Sequence, residues 1–275
     1  MSVKYEDLIR VVKETDSNPD IIPDLIRAFS VIISGEKATP HLGSVLSCAE
    51  ILASAKKISL DHNGEIKVLL SKGHAALGLY VYMFIHGQIS IGELLTFAES
   101  DSIFEEHPNP KVPGIDFPSG SLGHGLGLMS GFIAGSRIQN KSVGGIVIMS
   151  DGECNEGTVW EAALFAKAKN LAGLVAIIDS NGWQATGQTS ETYGTNSLKA
   201  MFEGFGWNGV VVDGHKQAEL LACIHQGLGE SSPFFIVAET VKGKGVSFME
   251  DDNNWHYRIP NAEEVVAARQ ELGVV

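Results

Sequence analysis

The 275-residue chain is 44% hydrophobic, enough to bury one substantial core, and no Pro/Gly/Ser-rich linker divides it, so a single domain over residues 1–275 is expected. A formal net charge of -13 excludes a nucleic-acid backbone or an anionic membrane as the natural partner. No apolar run reaches membrane-spanning length and the start, MSVKYED, lacks the apolar stretch of a signal peptide, so a cytoplasmic protein is expected. Cys48, Cys154 and Cys223 are odd in number and show no C-x-x-C pairing, which points to core or incidental thiols, not to disulfides or a zinc site.

In chain order, apolar spacing predicts a helix over residues 4–15, broken by Ser17-Asn18-Pro19, and a second over Pro23–Ser34 that stops at Gly35. The stretch Ala38–Leu52 reads as a Pro-His turn feeding a helix. A short strand, Ile66–Leu70, leads into Ser71-Lys72-Gly73-His74-Ala75 and a helix reaching about His86. Residues 99–118 are too rich in proline for regular structure, and a long irregular segment inside a compact domain is usually functional. The Gly-rich run Ser119–Gly127 follows.

The segment Ile146–Gly182 organises the rest. It reads as a buried strand, a turn carrying Asp151-Gly152, an alanine-rich helix, and a second buried strand ending in Asp179-Ser180-Asn181-Gly182. Strands joined by a helix are normally parallel, so Asp151 and Asn181 should emerge at one carboxyl edge of a sheet, where open α/β folds bind ligands. A carboxylate and an amide oxygen suit a hard cation, Mg²⁺ or Ca²⁺, which completes its shell with phosphate oxygens and water. The carbonyl of Trp183 could add a third protein oxygen. Gly152 lets backbone approach a diphosphate, and the helix after it would present N-terminal amides to that charge.

Beyond this segment, the loop Trp183–Ser190 should fold over the metal. A helix near Asn196–Phe205, a strand Val210–Val212, a helix Gln217–Leu228 and a strand Pro233–Thr240 follow. Gly204-Phe205-Gly206-Trp207-Asn208-Gly209 spells G-x-G-x-x-G, but it precedes a strand where a dinucleotide fingerprint must follow one. Val241–Ser247 is Gly- and Lys-rich without P-loop spacing, Glu250-Asp251-Asp252 reads as a solvated acidic face, and a short acidic helix closes the chain. The fold class is therefore α/β, a mostly parallel sheet flanked by helices on both faces.

The central segment resembles the thiamine diphosphate motif, which opens Gly-Asp-Gly and closes in Asp-x-Asn; here it is Ser150-Asp151-Gly152 and Asp179-Ser180-Asn181. Five further stretches resemble transketolases in the correct order, so the likeness covers nearly the whole chain and implies a thiamine diphosphate-binding fold. By that resemblance, His41 faces the thiazolium and the substrate, His74 contacts the diphosphate, and His107 in HPNPKVPG reaches the sugar. Gly120 and Leu122 of SGSLGHGLG lie against the cofactor rings, with His124 where glutamine is usual. Glu156 sits at a dimer interface linking two active sites; the bland alternative is a carboxylate in the first turn of a helix. His256 contacts both the diphosphate and the reacting centre.

The resemblance also implies a second, pyrimidine-binding domain, supplying the glutamate that hydrogen-bonds the aminopyrimidine ring, and no stretch of this chain matches it. The expectation is one subunit of a split transketolase, active with a separate C-terminal pyrimidine-domain subunit in an α2β2 assembly, holding thiamine diphosphate and Mg²⁺ or Ca²⁺. It would transfer a two-carbon ketol unit from a ketose or ketose phosphate to an aldose or aldose phosphate. Alternatives are a subunit of an acyloin synthase or of a specialised sugar or secondary-metabolite transketolase, a 2-oxo acid dehydrogenase subunit, or a non-catalytic partner that kept the fold.

Overall fold

The computed structural model describes residues 3–13, 18–192 and 197–273. Ser17 and Asn196 lie outside the described residues. The helices are α1 (Val3–Val12), α2 (Ile22–Lys37), α3 (Leu42–Ser47), α4 (Ala49–Asp61), α5 (Ala76–Ile85), α6 (Ile91–Leu94), α7 (Gly125–Ile138), α8 (Gly157–Ala168), α9 (Thr189–Thr192), α10 (Leu198–Gly204), α11 (Gln217–Gly229) and α12 (Ala262–Glu271). The strands are β1 (Ile66–Leu70), β2 (Gly144–Ser150), β3 (Leu174–Ser180), β4 (Trp183–Gln184), β5 (Gly187–Gln188), β6 (Asn208–Asp213) and β7 (Phe234–Glu239).

Five strands form one sheet in the order β1-β2-β3-β7-β6, and every pairing in it is parallel. Side chains alternate along each strand, and that alternation divides the core in two. Ile146, Ile148, Val175, Ile177 and Ile236 face a layer built on α2, α4, α5 and α11. Val147, Met149, Ala176, Ile178, Phe235 and Val237 face α7, α8 and α10. Both faces are covered, which is why these strands read as continuous apolar runs. Register places Ser150 opposite Asp179, so Asp151 and Asn181 leave the same carboxyl edge, as expected.

Several boundaries differ from the sequence reading. Helix α2 does not stop at Gly35: it runs to Lys37, and Ala38 at φ 52 ends it by donating its N–H to the Ser34 carbonyl. Gly35 is helical because α12 packs on it; a Cβ there would lie 2.8 Å from Val265 Cγ2. The helix expected through Ala38–Leu52 is two helices, α3 and α4, broken at Cys48 with φ -103 and ψ 16. A 3-10 turn, Gly152–Asn155, intervenes between Asp151 and α8, so the amides nearest Gly152 belong to that turn and not to the long helix. Helix α7 has no counterpart in the expected elements. The G-x-G-x-x-G run leads from the end of α10 into β6 and opens no helix, as its rejection as a dinucleotide fingerprint required.

Candidate cofactor and active site

A cavity of 320 Å³ sits at the carboxyl edge of β2 and β3. Its walls come from Ser44, His74, Leu122, the turn that carries Ser150, Gly152, Asn155 and Glu156, the stretch of Asn181 and Trp183 to Thr186, and His256. The expected residues His74, Leu122, Gly152, Glu156, Asn181, Trp183 and His256 all line it.

Three imidazoles cluster at this cavity, His74 and His256 on its wall and His41 packed against both. Ring centroids are 5.1 Å apart for His41 and His256, 5.4 Å for His41 and His74, and 5.8 Å for His74 and His256. His41 has the left-handed φ of 71, a costly conformation for a side-chain-bearing residue that persists where surroundings enforce it. Its N–H donates to the His256 carbonyl at 2.9 Å, while its own carbonyl receives the Ser44 and Val45 amides and so starts α3. Burial, then His107 and Lys242, pushes the His41 imidazole down to about 4. Burial, then Lys242 and His41, pushes His256 down to about 3, and burial with Lys72 holds His74 well below its ordinary value. All three are neutral at pH 7.

Lys242 lies among them with its Nζ 3.3 Å from His256 Nδ1 and 3.1 Å from Asn253 Oδ1. An ammonium only donates, so His256 Nδ1 accepts and its proton sits on Nε2. Burial, then repulsion from Lys72, brings the Lys242 amine down to about 8. Gly43 lets this chain close in, since a Cβ there would lie 3.1 Å from Lys242 Cγ.

The candidate metal ligands are held from below. Asp151 is buried; its Oδ1 accepts the Gly152 N–H at 2.9 Å, and its Oδ2 accepts the Gly182 N–H at 2.8 Å and the Thr189 hydroxyl at 3.0 Å. Burial, then the Asp179 charge, still pushes its carboxyl up to about 6. Asn181 donates from Nδ2 to Asp179 Oδ2 at 3.2 Å, and its Oδ1 accepts the Trp183 N–H at 3.0 Å. Asp179 itself is paired with Lys72 in a buried ion pair and accepts from the Ser47 and Thr240 hydroxyls. Among the described residues no group of three His, Cys, Asp or Glu could hold a metal. One carboxylate, one amide oxygen and backbone carbonyl is still a donor set suited to a hard cation beside phosphate.

The expected residues outside the cavity wall differ in placement. His107 is half-buried beside Gly73, where a Cβ would lie 3.1 Å from its Cδ2, and close enough to His41 to affect its titration. Gly120 is exposed, with His107 its nearest neighbour. His124 is exposed at the start of α7 and does not reach the cavity. Glu156 is not in the first turn of α8 but precedes it at the N-cap, exposed and making no capping bond. Cys154 is fully buried with its thiol pushed well above the ordinary range, which fits a core residue. The acidic run is more than a solvated face: Asp251 accepts the Trp183 indole N–H at 2.7 Å, Glu250 accepts the Gly245 N–H at 3.0 Å, and Asp252 caps the turn that carries His256.

Sequence reasoning missed Lys72, Asp179, Glu153 and Lys242. Lys72 and Lys242 stand next to glycines already singled out, and a lysine in an apolar strand-end context was their signal. Glu153 is buried, takes the Ser71 hydroxyl and the Gly123 N–H on Oε1, and leaves Oε2 unpartnered. Asn155 Nδ2 and Gln184 Nε2, both on residues lining the cavity, are also buried without partners. Unfilled donors on residues that line a cavity suit an anionic ligand there.

Residues 21–275 match the family described as transketolase, thiamine diphosphate binding domain. The chain is 33% identical over 240 residues to an apulose-4-phosphate transketolase subunit of Phocaeicola vulgatus, covering 84% of this chain and 85% of that one. It is 34% identical over 258 residues to human transketolase-like protein 2, covering 88% of this chain but 41% of that one. A crystal structure of transketolase from Campylobacter jejuni superposes with a TM-score of 0.81 at 25% identity, covering 92% of this chain and 42% of that one. The chain thus spans most of a subunit-length relative and about two-fifths of the longer ones.

Proposed function

Because this chain belongs to the transketolase thiamine diphosphate binding domain family, we propose that it is the diphosphate-binding subunit of a two-chain transketolase. A separate pyrimidine-domain subunit completes it in an α2β2 assembly in the cytoplasm. The observation that carries this reading is the cluster of His41, His74 and His256, of which His74 and His256 line one cavity together with Gly152 and Asn181 while His41 packs against both rings. The division between two chains draws support from the Phocaeicola relative, which is named as one subunit of its enzyme and most of whose length this chain spans.

In this reading Asp151, Asn181 and the Trp183 carbonyl hold Mg²⁺, or Ca²⁺ in its place. A divalent cation offsets the buried charge that otherwise drives Asp151 toward protonation. Asn155 and Gln184 donate their unfilled N–H groups to the diphosphate, with Gly152 leaving room for it and His74 alongside. Leu122, with Gly120, packs against the rings, and Glu156 links to the second active site. Bound thiamine diphosphate supplies the nucleophilic carbon and the electron sink for cleaving the bond next to a ketose carbonyl. His41, neutral at pH 7, accepts protons from substrate hydroxyls, while His256 donates its Nε2–H to a substrate oxygen and Lys242 beside it stabilises developing negative charge. His107 reaches the sugar.

The substrates are a ketose or ketose phosphate as donor and an aldose or aldose phosphate as acceptor. The name of the Phocaeicola relative makes apulose 4-phosphate the first donor to try. In the complete assembly, His41→Ala and His256→Ala should each lower kcat by about 10²–10⁴-fold, the usual worth of a proton-transfer group, while changing cofactor affinity far less. Turnover equal to wild type in either variant would refute its role.

A further inference from the structure

The loop that brings Lys242 and His256 to the cavity begins at Val241, and a buried network lies behind that residue. Arg27, 3% exposed, donates from Nη2 to both oxygens of Glu50 at 2.7 Å, and from Nε to the Leu46 carbonyl at 3.2 Å. Glu50, 7% exposed, lies 3.1 Å from His215 Nδ1. On the other side of the ring, the Val241 N–H donates to His215 Nε2 at 2.9 Å. None of these side chains lines the cavity.

The hydrogens can be assigned. A backbone amide only donates, so His215 Nε2 carries the lone pair, and the proton is on Nδ1, donated to Glu50. Burial raises the Glu50 carboxyl, but the His215 hydrogen bond and the Arg27 charge outweigh it and leave the group below its usual range. It is therefore ionised and accepts from both sides. The network joins two arms of the site. Leu46 belongs to α3, the helix that His41 starts, while Val241 starts the segment carrying Lys242 and His256. Arg27 also lies beneath that segment, since a Cβ on Gly245 would lie 3.1 Å from its Cδ.

We propose that His215, fixed as the neutral Nδ1–H tautomer between Glu50 and Val241, is a positioning residue that sets the Lys242 arm against the His41 arm. Thr240 is pinned to Asp179 and Ser180, and Gly243 to the Gly43 carbonyl at 3.0 Å. Between those anchors, the Val241 N–H has His215 as its partner, and that contact fixes the Thr240–Val241 peptide, one residue before Lys242, whose own carbonyl accepts the Asp251 N–H at 2.9 Å. The consequence for cofactor binding rests on the proposed function; the tautomer and the loop contact do not.

The test uses the full chain and three forms: wild type, His215→Gln and His215→Leu. Glutamine offers an acceptor and a donor on one planar group, so it can take the Val241 N–H and face Glu50; leucine can do neither. Long-range ¹H–¹⁵N spectra should show His215 as the Nδ1–H tautomer, assigned by its loss in both variants. Hydrogen exchange at Val241 should rise about tenfold in His215→Leu, as loss of a buried hydrogen bond implies. It should stay near wild type in His215→Gln, with the strands β3 and β7 equally protected in all three forms. An Nε2–H tautomer, or equal exchange in the leucine variant and wild type, would overturn the assignment. Cofactor affinity of the assembled enzyme should follow the same order, glutamine above leucine. A wild-type assembly that binds no thiamine diphosphate would refute the functional reading and leave the exchange result standing.

Discussion

The histidine triad has an energetic consequence of its own. Three imidazoles within 5.8 Å of one another, beside Lys242, cannot all be protonated, and burial disfavours the cation further. In the unfolded chain His41 and His256 titrate near 6.5; in the fold they fall to about 4 and about 3. Between those values the unfolded state binds more protons, so stability is lost as pH falls from 6.5 through 4. Urea unfolding across that range should show this slope, and His41→Asn should flatten it; an unchanged slope would show that His41 is not buried neutral. Below the triad, Lys72→Met strands the Asp179 carboxylate and should cost ~3–5 kcal/mol, while adding Asp179→Asn should restore most of it, both read by denaturant unfolding. His41, His74 and His256 were legible in the sequence because each stands in a short stretch resembling a known family. The pairing of Lys72 with Asp179 was not, because an ion pair spanning 107 positions leaves no local pattern, although Asp179 itself stands in the Asp-x-Asn stretch.

At the level of elements, packing overrode local preference in both directions. The strands were plain because a sheet covered on both faces gives unbroken apolar runs at Ile146–Met149 and Leu174–Ile178. Helix α7 was hidden by glycines at 125, 127, 131 and 135, each a poor helix former. Its signal was the buried set Leu126, Met129 and Ile133, at helical spacing. Gly125 is there for space: a Cβ would lie 2.2 Å from Ser71 Oγ, which bonds both the Gly125 N–H and Glu153. Gly125→Ala should therefore destabilise the protein by ~1–3 kcal/mol despite alanine's better helix propensity, with unfolding midpoints as the measure. A stabilised variant would mean that Ser71 moves freely and that the α7 start is not fixed by it. The break at Cys48 and the continuation of α2 through Gly35 were illegible for the same reason: contacts from other elements decide them.

At the level of the whole molecule, the parallel sheet gathers the ends of β1, β2, β3 and β7 at one edge, and each end delivers part of the cavity: His74, Gly152, Asn181 and the Lys242 segment. The order of these stretches along the chain is thereby converted into a ring around one space. The Asp151 and Asn181 placement followed from strand parallelism alone, whereas the loop contacts from Asp251 and Glu250 needed the folded chain. No helix among the described residues is long and apolar enough to cross a membrane. The central claim is that this cavity holds thiamine diphosphate with a divalent cation and works only with a pyrimidine-domain partner. Calorimetric titration with thiamine diphosphate and Mg²⁺, on this chain alone and then with the candidate partner, tests it most directly. Tight, metal-dependent binding, with ketol transfer in the mixture and not in either chain alone, is the predicted result; no binding in either case would contradict it.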